Sequence, residues 1–125
     1  MDIHQKPIVW FDIPVADMPR AVAFYNAAFG LSLAAVDFMG RPSAFFAMAG
    51  DQAGGMLLLD PGRAGLPGSV LIYLNGGDSL DAALERIRHA GGVVTRPKTI
   101  IEGGHGVFAH VQDSEGNEIG VWAMQ

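Results

Sequence analysis

Asp17-Met18-Pro19-Arg20-Ala21-Val22-Ala23-Phe24-Tyr25-Asn26-Ala27-Ala28-Phe29-Gly30 and Ser79-Leu80-Asp81-Ala82-Ala83-Leu84-Glu85-Arg86-Ile87-Arg88-His89-Ala90-Gly91-Gly92 lie 62 positions apart and read as one element written twice. Each opens on a residue whose side-chain oxygen can accept from the first-turn backbone, and each closes on glycine. The first predicts a helix from Asp17, with Pro19 tolerated in the opening turn, to near Gly30. Its apolar stripe is Met18, Ala21, Val22, Tyr25, Ala28 and Phe29. The second predicts a helix from Asp78 or Ser79 to Gly91-Gly92, with a stripe of Leu80, Ala83, Leu84, Ile87 and Ala90. Asp81, Glu85, Arg88 and His89 then face water. Cap, stripe and terminator recur together, which identifies an internal duplication.

The flanks repeat too. Ile8–Val15 and Val70–Asn75 read as strands leading into the helices. Leu31–Phe38, Ala44–Ala49 and Met56–Leu59 follow the first helix, and Val93–Arg96, Val107–Gln112 and Glu118–Ala123 follow the second. Gly-, Pro- and Asp-rich stretches separate them, including Gly50-Asp51 and Asp113-Ser114-Glu115-Gly116-Asn117. The expectation is an α+β chain forming a single domain over 1–125. It has a βαβββ module over about 7–60, a linker at 61–68 and a second βαβββ module over about 69–124.

One helix per four strands covers each sheet on one side only. Period-two alternation assigns Val9, Phe11, Ile13 and Val15 to the helix side of the first strand. Val70, Ile72 and Leu74 take the helix side of the second lead-in strand, with Val107, Ala109, Val111, Ile119, Val121 and Ala123 from the last two strands. The uncovered side collects Trp10, Asp12, Tyr73, Asn75, Phe108, His110, Glu118 and Trp122. Aromatic rings with a few polar groups are the usual lining of a ligand cleft. The same surface could instead be filled by a second sheet or a dimer partner.

Composition narrows the function classes. There are 125 residues, half of them hydrophobic, and no cysteine, which removes disulfides, thiolate metal sites and cysteine nucleophiles. A net charge of −5, with scattered Lys and Arg, argues against nucleic acid. Arg86/Arg88 and Arg96/Lys98 read as solvated surface. No apolar run approaches the roughly 20 residues of a membrane helix. The opening residues, with His4 in a frayed terminus, show no leader pattern, so a cytoplasmic location is expected. No serine has His and Asp at triad spacing. Gly103-Gly104-His105-Gly106 precedes no helix and reads as a hairpin or an entry loop at the cleft mouth. His105 and His110 are five apart and point to opposite sides of a strand. The methionines, Met39, Met48 and Met56 among them, read as core or cleft lining.

Three stretches carry a family resemblance: Val9-Trp10-Phe11-Asp12-Ile13-Pro14-Val15-Ala16-Asp17, then Arg20-Ala21-Val22-Ala23-Phe24-Tyr25, and Asp113-Ser114-Glu115-Gly116-Asn117-Glu118-Ile119-Gly120-Val121-Trp122. With Leu80-Asp81-Ala82-Ala83-Leu84 and Ala90-Gly91-Gly92, they resemble the vicinal-oxygen-chelate superfamily of glyoxalases, bleomycin-resistance proteins and dioxygenases. The resemblance implies a glyoxalase/bleomycin-resistance/dihydroxybiphenyl-dioxygenase-like fold and a homodimer. It also implies four metal-ligand positions, which fall here on Trp10, on Gly55 or Met56, on Leu71 or Ile72, and on Gly120. None of these is a His, Glu or Gln, so no cofactor is expected. A divalent metal on Asp12, His110 and Glu118, which share the uncovered side, is the minor alternative.

Three functions follow as expectations. The first is a metal-free binding protein in which Trp10, Tyr73 and Trp122 stack on a small aromatic or cationic ligand. Asn75, Phe108 and His110 line the same cleft, and Asp12 and Glu118 complement positive charge. The second is a glyoxalase-like lyase or isomerase, rather than a dioxygenase, with Asp12, His110 or Glu118 as proton shuttle. The third is a structural dimer whose aromatic side is simply filled.

Overall fold

The computed structural model describes residues 5–46, 50 and 52–125. The readings for His4, Met48, the last three residues of the expected Ala44–Ala49 strand and Asp51 lie outside the described residues. Among those described, the chain runs β1(Ile8–Val15), α1(Met18–Phe29), β2(Val36–Phe38), β3(Arg41–Phe46), β4(Gly54–Leu59), β5(Leu71–Asn75), α2(Leu80–His89), β6(Val93–Ile100), β7(Val107–Gln112) and β8(Glu118–Ala123). It forms two compact units, one of Trp10–Val70 and one of Leu71–Gln125 with the N-terminal residues up to Val9.

The helix ends are built as their residue types require. Asp17 is extended, and its Oδ1 accepts from the Arg20 N–H at 3.0 Å. Gly30 closes α1 in the left-handed region at φ 65°, where a side chain would strain the backbone. In α2 the Ser79 Oγ accepts from the Ala82 N–H at 3.3 Å, and the Gly92 N–H reaches back to the Ile87 carbonyl at 2.8 Å.

In the Trp10–Val70 unit the strand order is β2-β3-β4-β1, and β1 runs parallel to β4. In the other unit the order is β5-β8-β7-β6, and β5 runs parallel to β8. The first and last strands of each module are therefore parallel neighbours, so the duplication read from the helices extends to the topology.

α1 lies over β3 and β4, closing a core of Val15, Met18, Leu33, Ala44 and Leu57. α2 lies over β6, β7 and β8, and the core beneath it contains Leu80, Leu84, Val107, Ala109, Val111 and Val121. The predicted alternation holds in β7 and β8. At β5, however, Val70, just before the strand, and Ile72 within it are 53% and 38% exposed, whereas Leu71 and Tyr73 are buried. The stripe of α1 also fades at its end: Ala28 is exposed and Phe29 is 66% exposed, stacked on Tyr25. Ala90 of α2 is exposed as well.

Several strand boundaries differ from the sequence reading: β3 begins at Arg41 rather than Ala44, β4 at Gly54 rather than Met56, and β5 at Leu71 rather than Val70. Leu31–Phe38 is a strand only from Val36. The Asn26 side chain donates to the Leu33 carbonyl at 3.1 Å and accepts from the Leu33 N–H at 2.7 Å, taking the groups a strand partner would need. In the second module β6 continues past Arg96 to Ile100, through Pro97. An edge strand can carry a proline because its outward N–H needs no ladder partner.

Asn26→Ala removes both bonds from a part-buried turn and is expected to cost about 1–3 kcal/mol in urea unfolding. Asp17→Ala, which removes one exposed cap bond, should cost about 1 kcal/mol. A second test concerns the β7–β8 turn. There Asp113 Oδ1 accepts from the backbone N–H of Glu115 and Asn117 at 2.8 and 2.9 Å, and Oδ2 accepts from Asn117 Nδ2 at 3.0 Å. The Asn117 side-chain bond, followed by the two backbone bonds, holds this exposed carboxyl below the usual 3.8. A lowered folded value means the stabilisation is complete above the unfolded value and fades as pH falls through the folded one. The stability lead of the native chain over Asp113→Ala, measured by urea midpoint, should be full at neutral pH and narrow below about pH 4.

Candidate functional site

The uncovered side of each sheet carries an aromatic group anchored by one polar side chain, and the two groups differ. In the Trp10–Val70 unit, Trp10 and Asp12 project from β1 opposite Gly54 and Met56 of β4. Trp10 Nε1 donates to Asp12 Oδ1 at 2.9 Å, and Asp12 is only 7% exposed. A buried carboxylate needs such a donor, and the indole N–H has no other chemistry than donation. The Trp10 ring meets Phe45 of β3 edge-on at 6.0 Å, and Phe45 meets Phe38 at 5.2 Å.

In the other unit the pairings Arg96↔His110, His110↔Gly120 and Tyr73↔Gly120 set four residues in one line across β6, β7, β8 and β5. The next line is Thr99, Phe108, Trp122 and Asn75. Gly120 offers no side chain, and a Cβ built there would overlap the Tyr73 ring. The ring therefore lies across β8, and its hydroxyl shares a 2.9 Å hydrogen bond with His110 Nε2. Which partner donates depends on the imidazole tautomer. Phe108 meets Tyr73 at 6.0 Å and His110 at 5.5 Å, so the three rings form one packed group.

The remaining predicted residues have more local duties. Trp122 Nε1 donates to the His105 carbonyl at 2.8 Å, and its ring lies where a Cβ of Gly106 would be. Gly103–Gly106 is thus the turn of the β6–β7 hairpin, clamped to Trp122. Asn75 Oδ1 accepts from the Gly77 N–H at 3.0 Å, holding the turn after β5. Glu118 is half-buried opposite Gln112 on the same side as His110.

Arg96 is exposed, as the sequence suggests, and also places its guanidinium 4.9 Å from the centre of the Phe108 ring. Strict alternation from Val94, which packs on the core, would put Arg96 on the helix side. Register shifts on both sides of Arg96 turn it to the uncovered side. Sequence periodicity carries no signal for such a bulge. Lys98 behaves as the sequence suggests, pairing with Asp81 at 3.1 Å on the surface.

The chain belongs to the Glyoxalase/Bleomycin resistance protein/Dioxygenase superfamily, whose family model matches residues 7–121. Solved structures share the fold at low identity. Methylmalonyl-CoA epimerase from Mycobacterium tuberculosis is 17% identical, with 94% of this chain and 87% of that one covered, at a TM-score of 0.65. A single-residue variant of the Streptomyces coelicolor methylmalonyl-CoA epimerase, in complex with 2-nitronate-propionyl-CoA, is 17% identical over 94% and 96%, at 0.68. A hypothetical protein from Bacillus halodurans C-125 is 13% identical over 93% and 92%, at 0.69. No curated protein matches by sequence.

The register resolves the four ligand positions that the family resemblance pointed to. Gly55 faces the helix side, where Phe11 occupies the space of its missing Cβ, so Met56 is the residue on the uncovered side. Leu71 shares a side with Tyr73, which excludes Ile72. The set is then Trp10, Met56, Leu71 and Gly120, which offers no imidazole or carboxylate to a divalent ion. Tyr73 also fills the space a ligand at 120 would need. Among the described residues no three His, Asp or Glu side chains come together as a metal set, and this includes Asp12, His110 and Glu118.

Gly120→Ala forces the Tyr73 ring to move and should destabilise the chain by about 1–3 kcal/mol. In a Tyr73→Ala background the same change should cost far less, and the double-mutant cycle read by urea unfolding gives the coupling directly.

Proposed function

We propose that this chain binds a small organic molecule on the uncovered side of its sheets without the help of a metal. The observation that carries the reading is the Tyr73 ring over Gly120, hydrogen-bonded to His110. A buried aromatic ring stands where the family resemblance puts a metal ligand. Trp10 with Asp12, and Phe108 beside His110, support it as aromatic surface with polar anchors. The epimerases with the same fold hold acyl-CoA molecules, among them 2-nitronate-propionyl-CoA and methylmalonyl-CoA, which supports a small-molecule role. A cytoplasmic homodimer completes the proposal. No helix among the described residues is long and apolar enough to cross a membrane.

The two tryptophans, one in each unit, make the reading testable. Titration of chelator-treated protein with a panel of aromatic acids, amines and acyl thioesters should change tryptophan emission saturably. Trp10→Phe and Trp122→Phe then report which unit responds. Tyr73→Phe should weaken the response roughly fivefold, the worth of one neutral hydrogen bond. Binding that appears only after zinc, nickel, manganese or iron is restored would overturn the metal-independent reading.

The Tyr73–His110 pair favours a second reading, a glyoxalase-like isomerase or lyase. A hydrogen-bonded phenol and imidazole can pass a proton to or from a carbon acid, and Asp12 and Glu118 are further acid–base candidates. Solvent deuterium entering the α-carbon of methylmalonyl-CoA at a rate that Tyr73→Phe or His110→Gln abolishes would establish it. No exchange in the presence of saturable binding would leave the binding role alone.

A further inference from the structure

Arg96 stands in the same transverse line as His110, Gly120 and Tyr73, on the side that carries the aromatic group. It reaches that side through a local break in register, and Phe108 holds its guanidinium in place at 4.9 Å. Among the described residues Arg96 forms no ion pair. The Arg96 guanidinium is exposed, and its planar N–H fork matches a carboxylate with two parallel hydrogen bonds. The other nearby cation, Lys98, is engaged by Asp81. Next along the line come the His110 imidazole and the Tyr73 hydroxyl, bonded to each other at 2.9 Å.

We propose that the line of Arg96 and His110 receives the carboxylate of a monoanionic organic acid, with the acid's apolar body lying toward the half-buried Trp122 ring. This rests on the small-molecule reading above and names the ligand class for the unit that contains β5–β8. The charge balance favours a monoanion over a phosphate dianion. One guanidinium serves the line, the half-buried Glu118 carboxylate shares the same side of the sheet, and the chain as a whole carries −5. Phe108 and Tyr73 are buried, so the rings that remain open to an apolar body on this side are the half-buried His110 and Trp122. An anionic ligand at Arg96 is the reverse of the cationic one that Asp12 and Glu118 suggest from sequence; the Asp12 carboxylate accepts the Trp10 N–H.

The test is a matched pair of probes, 2-naphthoate and 2-naphthamide, which differ in charge and little in shape. Binding to the full chain is followed by backbone amide chemical shifts and by the Trp122 indole signal. The acid is expected to bind about tenfold tighter than the amide, as charge-assisted hydrogen bonds imply. Its shifts should centre on residues 94–100 and 107–112. Arg96→Gln should bring the acid down to the affinity of the amide and leave the amide unchanged. Arg96→Lys, which keeps the charge without the fork, should fall between. Equal binding of acid and amide to the native chain would overturn the carboxylate assignment while leaving the binding surface standing. An acid preference that survives Arg96→Gln would overturn the role of this line. If neither probe shifts any amide of β5–β8 at millimolar concentration, the binding-surface reading falls, and the proposal falls with it.

Discussion

The Tyr73 ring can lie across β8 only because Gly120 has no side chain, and most of what distinguishes this protein follows from that contact. The ring fills the space that a residue at 120 would enter, carries a hydroxyl to His110, and gives Phe108 an edge to pack against. Removing either member of the pair undoes all three. The ring is buried, so the arrangement gains apolar burial as well as a hydrogen bond, and neither gain is available to a carboxylate at the same position.

The duplicated module shows how one backbone plan supports two different surfaces. In both units the first and last strands are parallel neighbours, and in both a glycine on the last strand accepts an aromatic ring from the first. Phe11 lies over Gly55 on the helix side, where it meets Phe46, which in turn meets Tyr25 of α1. Tyr73 lies over Gly120 on the uncovered side. The same device extends the core in one unit and builds the polar line in the other. A hydroxyl would be wasted against Phe46 and Tyr25, whereas beside His110 it has a partner.

Much of this is legible in the sequence, and the boundary of legibility is physical. Asp17, Ser79, Gly30 and Gly91 mark the helix ends because capping and left-handed closure depend on the residue itself. β1, β7 and β8 follow from alternation because each has one core-facing side. The strand expected from Leu31 fails because nothing local shows that Asn26, on the preceding helix, claims both backbone groups of Leu33. Phe29 escapes its expected burial because periodicity places a residue on a face of a helix and says nothing of whether a strand lies beneath that part of it. Trp10, Asp12, Tyr73, Phe108 and His110 fall on the sides that alternation assigns them. The bonds Trp10–Asp12 and Tyr73–His110 need register and distance, which periodicity does not contain.

Arg96 joins these threads at the edge of a sheet. β6 is an outer strand, and a long regular edge invites pairing with other chains. Pro97 removes a donor from that edge, and the register shifts around Arg96 break its regularity. Both features act against edge pairing. The same shifts also invert the direction of one side chain, carrying a cation from the helix side, where Val94 packs in the core, to the side where Phe108 can hold it. A bulge that protects an edge and a bulge that aims a binding group are thus the same local departure from pleat. Straightening β6 would cost the surface this guanidinium as surely as mutating Arg96 would.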